Sequence, residues 1–94
     1  MASETQDRTK DSGEVGISTL VLMFGTAAMV HLGAAPDPVS GETKPDLTQA
    51  KHMIDLLDVL KAKTVGNLTA GESAVLDDLL FDLRMRYLEA IGRA

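Results

Sequence analysis

The apolar positions of this chain come first as a block and then as stripes. The block is ISTLVLMFGTAAMVHLG, residues 17–33, and it holds no Lys, Arg, Asp or Glu. Where nearly every position is apolar, periodicity cannot separate a buried strand from a buried helix, and length arbitrates. Seventeen residues are long for a strand and ordinary for a helix. Leu22, Met23, Phe24, Ala27, Ala28 and Met29 favour helix as well. The block therefore predicts a helix, stopped by Gly33 with Pro36 beyond it. A helix that is apolar all round is buried in protein or in lipid.

The next segment, AAPDPVSGETKP, carries three prolines and a glycine and predicts a loop. A second helix starts at DLTQ, where Asp46 caps, Gln49 completes a capping box and Pro45 bars extension backwards. Its last turn holds Lys61 and Lys63, and Gly66 is placed to take the left-handed C′ position. Leu47, Ala50, Ile54 and Leu57 form its inner stripe, widened by Met53, Leu56 and Leu60, while Lys51, Asp55, Asp58 and Ala62 face solvent.

A third helix starts at TAGE, with Thr69 as cap and Glu72 as its reciprocal partner, and runs to about Ile91. Asn67-Leu68-Thr69 also spells a glycosylation sequon, but the cap accounts for Thr69. This helix has two apolar stripes. One is Leu76, Leu80, Leu83, Tyr87 and Ile91; the other, on a different side, is Phe81, Met85 and Leu88. A helix packed on one partner needs one stripe, so two stripes predict two packing surfaces. The short link between the second and third helices predicts antiparallel neighbours.

Composition narrows the class. The chain has 94 residues, enough for one domain: a polar tail, 1–14, expected to be disordered, and a single helical domain, 15–94. The tail's mixed charge makes a poor signal-peptide start. There is no cysteine, which removes disulfides and thiolate metal sites and fits a reducing compartment. A domain this small is marginal alone, and oligomerisation is the remedy left open. A net charge of −5 argues against nucleic acid and anionic membrane surfaces. Three aromatic residues are too few for a base-stacking platform.

Chemistry is sparse. His31 and His52 have Ala28 and Gln49 three positions before them, so the Glu-x-x-His ligand pair of carboxylate di-metal bundles is absent. His31, at a helix end, suits a capping role, and His52 a solvated boundary. Asp77, Asp78 and Asp82, with Arg84 and Arg86 nearby, read as a charged solvent face. No catalytic residue, metal ligand or cofactor site is expected, and the chain is not expected to be an enzyme.

With these residues in view, the chain resembles a bacterial family catalogued as domain of unknown function 1844. The likeness rests on HLG-x-x-PDP, ID-L-L, K-T-x-GNLT and L-R-x-RY in this order, and covers roughly residues 15–90. It implies a small helical bacterial protein with no assigned activity and no catalytic residues to carry over. TAGE departs from the Glu-rich opening of the third helix that the resemblance implies.

The expected architecture is all-α: an apolar N-terminal helix, a Pro-rich loop and an antiparallel helical hairpin, gathered into an oligomeric helical bundle. The expected function is that of a cytoplasmic homo-oligomeric structural or protein-interaction module, with an unknown protein as a further possible partner. Its expected interface is Gly25, Ala28, Met29, Phe81, Met85 and Leu88. Two alternatives stand beside it. One is membrane association through helix 17–33, although 17 residues fall short of the about 20 a span needs. The other is a ligand site near the loop, using His31, Asp37 and Glu42.

Overall fold

The computed structural model describes residues 15–93. The expected tail, 1–14, lies outside them. Three helices follow in order: α1, Ile17–His31; α2, Leu47–Lys63; and α3, Ala70–Arg93. No strand occurs among the described residues. The fold is all-α, with each helix packed on both others and α1 against α2 making the largest share.

Each boundary has a local cause. Gly16 opens α1 and donates its N–H to Thr19 Oγ1 at 3.1 Å. The end of α1 is a Schellman turn: Ala34 N–H reaches Met29 O at 2.9 Å and Gly33 N–H reaches Val30 O at 3.0 Å. Gly33 has φ +78°, and a Cβ there would stand 2.8 Å from Pro45 Cγ. Both the backbone conformation and the space therefore require glycine.

Asp46 caps α2, its Oδ1 accepting from Gln49 N–H at 3.1 Å. The return half of the expected box is taken differently. Asp46 N–H donates to His31 O at 2.7 Å, tying the start of α2 to the last turn of α1. At the far end of α2, Thr64 Oγ1 donates to Leu60 O at 2.7 Å. Gly66 is left-handed as expected, φ +84°, but stands at C″ rather than C′ because Thr64 is the C-cap. The capping box of α3 forms in both directions, Thr69 N–H to Glu72 Oε1 at 2.8 Å and Glu72 N–H to Thr69 Oγ1 at 3.0 Å.

The core is a single cluster of Val21, Ala28 and Leu32 with Ala50, Ile54 and Leu57 and with Leu76, Leu80 and Leu83. The expected inner stripes of α2 and α3 supply six of these nine residues. Two ion pairs lace α2 to α3, Lys61 Nζ to Asp77 Oδ1 at 2.8 Å and Arg84 to Asp58. Because the lower-numbered acid of α2 meets the higher-numbered base of α3, the two helices run antiparallel. Both pairs are half-exposed, so each contributes a few tenths of a kcal/mol, up to about 1.

Candidate interaction surface

The chain covers only one side of α1. Val21, Gly25 and Ala28 are buried, and Leu32 just beyond the helix joins them. At about 100° per residue these share a face, and Thr19, Leu22, Met23, Thr26 and Val30 lie on the other. That outer face is open: Leu22 is 61% and Met23 64% exposed. With Ala27, His31, Asp37 and Pro38 it lines a shallow groove of about 570 Å3. No charged residue lies on the helix itself. Asp37, from the loop, supplies the groove's one carboxylate.

Gly25, expected at an interface between copies, does meet a close neighbour, but the neighbour belongs to α3 of the same chain. A Cβ at position 25 would stand 2.7 Å from Leu79 Cδ2. Ala28 is fully buried and Met29 packs against the core. Three of the six expected interface residues thus face inward. The remaining three, Phe81, Met85 and Leu88, are 69%, 47% and 58% exposed, so helix α1 does not cover the second stripe of α3. The outer residues of α1 were missed because an all-apolar helix gives no period by which to orient it. The small residues Gly25 and Ala28 were the available signal, since the tightest seam takes the smallest side chains.

His31, Asp37 and Glu42, neighbours in sequence, also come together in space. They line a hollow of about 250 Å3 beside the groove, with Val30, Ser40, Lys44, Pro45 and Asp46. The loop holds its shape by its own hydrogen bonds. Asp37 Oδ1 accepts from Val39 N–H at 2.7 Å and Ser40 N–H at 3.1 Å. Asp37 N–H donates to Glu42 O at 2.8 Å, and Gly41, φ +76°, donates back to Asp37 O at 2.8 Å. The Ser40 and Val39 amides hold the Asp37 carboxyl below the usual aspartate range, with His31 adding a smaller pull in the same direction.

The other polar groups make solvent-side contacts. Lys51 pairs with Asp55 and Arg86 with Asp82, each at 2.9 Å and half-exposed. The hydrogen bond that Lys51 Nζ donates to Asp55 raises the Lys51 pKa. His52 is exposed on α2. Among the described residues, no three His, Cys, Asp or Glu side chains gather in a way that could hold a metal ion.

The sequence model of the family described as domain of unknown function (DUF1844) matches residues 14–89, most of the chain. The chain belongs to this family. No curated protein and no solved structure matches it. Among the described residues, no helix of this family member is long and apolar enough to cross a membrane. Helix α1 has 15 residues. At about 1.5 Å per residue that falls well short of the roughly 30 Å hydrocarbon core.

Proposed function

We propose that this DUF1844 protein is a non-catalytic module that assembles with copies of itself in the cytoplasm. The observation that carries this is the outer side of α1, a continuous apolar face that the chain leaves open although the helix bears no charge. Contiguous exposed apolar surface marks interaction sites. Water contact with Leu22 and Met23 forfeits burial worth about 25 cal/mol per Å2. A second copy offers the same apolar side chains, whereas an anionic lipid surface repels a chain of net charge −5. Light scattering on detergent-free protein tests the proposal. A defined mass of two or more chains supports it. A monomer at all concentrations, or recovery with membranes alone, overturns it.

A second function is favoured by one observation, the convergence of His31, Asp37 and Glu42 in a hollow that shares His31 and Asp37 with the α1 groove. An apolar groove beside polar groups suits a small amphiphile. A dye that brightens on apolar surfaces would then be displaced by that amphiphile, and His31→Ala would weaken the displacement without changing the mass.

A further inference from the structure

The second apolar stripe of α3 is longer than the three large side chains that stand out in it. Ala74, Asp78, Phe81, Met85, Leu88 and Gly92 recur at alternating intervals of four and three. That is the repeat of a helix that packs lengthwise on another helix. At about 1.5 Å per residue it runs about 27 Å. Phe81, Met85 and Leu88 are exposed and lie outside the core. The one charged member of the repeat is Asp78, also exposed.

The charges beside the stripe are unequal. On the side towards α2, Asp77 and Arg84 are matched by Lys61 and Asp58. The other side carries Asp82 and Glu89. The cations on that side, Arg86 and Arg93, each follow a stripe residue by one position. That step of about 100° turns them away from the stripe. Arg86 is moreover occupied with Asp82 at 2.9 Å. Among the described residues, Asp78 and Glu89 have no ion-pair partner. The open edge of the stripe is therefore acidic.

A second copy does not suit this edge. Laid antiparallel, it brings Asp78, Asp82 and Glu89 against the same acids. Laid parallel, it brings Asp78 onto Asp78. Like charges set side by side reject a partner. The same edge repels an anionic membrane and a nucleic acid. A helix whose apolar stripe is flanked by Lys or Arg matches both the apolar residues and the carboxylates.

We infer that the outer stripe of α3 docks a basic amphipathic helix of another protein. Phe81, Met85 and Leu88 supply the apolar contact, and Asp82 and Glu89 face the partner's cations. Asp78 fixes the register, because a charge inside an apolar repeat is compensated in one alignment only. This contact is separate from the self-association carried by α1, and one chain can make both.

The test uses two fluorescent helical peptides with the same leucine stripe, one flanked by Lys and the other by Glu. Anisotropy measures their binding to the full-length protein and its variants, with circular dichroism confirming that each variant is helical. The Lys peptide is expected to bind at least about tenfold more tightly than the Glu peptide. Asp78→Asn with Glu89→Gln is expected to weaken the Lys peptide about tenfold or more, as is Phe81→Ala. Glu42→Gln with Asp55→Asn removes two acids elsewhere and is expected to leave its binding unchanged. Equal affinity for the two peptides, or no binding of either, overturns the inference. So does equal weakening by the two double variants, which means attraction to net charge alone. Binding lost in Met23→Glu but kept in Phe81→Ala places the peptide on α1 and overturns it too. An oligomer that dissociates on Phe81→Ala puts a second copy on the stripe, with the same consequence.

Discussion

Helices α1 and α3 solve the same problem in opposite ways. Each buries one face in the core and leaves an apolar face open. On α1 nothing separates the two faces, because the helix has no charged residue. On α3 the faces are divided by Asp77 and Arg84 on one side and by Asp78, Asp82, Arg86 and Glu89 on the other. The difference teaches where orientation information resides. On α3 it lies in the polar residues and is readable from order alone. On α1 it lies in side-chain size, with Gly25 and Ala28 at the inner seam and Leu22 and Met23 outside.

The strongest way to break this comparison is to cut each face of α3 separately. Leu83 is fully buried, so Leu83→Ala is expected to lower unfolding free energy by about 2–5 kcal/mol at every protein concentration. Phe81→Ala should cost far less, because its side chain is exposed outside the core. Urea unfolding distinguishes them, and equal losses for the two variants would show that both stripes belong to one core.

The same contrast applies to α1. Gly25→Leu forces a side chain into the space of Leu79, an overpacking expected to cost about 1–3 kcal/mol or more within the single chain. Met23→Glu places a charge on the open face and is expected to leave monomer stability within about 0.5 kcal/mol, as surface changes do. Should α1 be the face that joins copies, Met23→Glu also lowers the mass in light scattering. If Met23→Glu unfolds the protein as severely as Gly25→Leu, the outer face is not the free one.

A smaller effect separates the start of α3 from that of α1, where glycine is the cap. Thr69→Ala removes an oxygen that accepts from Glu72 N–H and is expected to cost about 1 kcal/mol, read from thermal unfolding. No change would mean that the capping box contributes nothing measurable.

The smallest effect concerns the loop between α1 and α2. The Asp37 carboxylate accepts two backbone N–H bonds, and its folded pKa is lowered. The contribution is therefore present above the unfolded value of about 3.9 and is lost as pH falls through the lower folded value. An NMR titration should place the Asp37 midpoint below that unfolded value. A midpoint at or above it would mean the loop bonds do not form in solution.

Most of the fold was legible because the helix signals are local. Asp46, Thr69 and Glu72 set the starts of α2 and α3 by hydrogen bonds within four residues, Pro45 bars α2 from extending backwards, and Gly33 set the end of α1 by its left-handed backbone. The inner stripes of α2 and α3 were legible for the same reason, since polar residues interrupt the period. Less of the candidate surface was legible. Phe81, Met85 and Leu88 stood apart in sequence and are exposed, but Gly25 and Ala28, read as an interface, fill the chain's own core.

The sequence by itself determined the helices, their boundaries, the antiparallel hairpin and the absence of charge along α1. Tertiary structure alone decided which side of α1 turns inward, because every side of that helix gains by leaving water and only shape discriminates among them. Leu79 needs a neighbour without a Cβ, and Gly25 is the residue that provides it. That contact turns α1 so that Leu22 and Met23 face outward. It also decides that His31, Asp37 and Glu42 meet at one end of the open face, since the Asp46 bond to His31 folds the loop back over the end of α1.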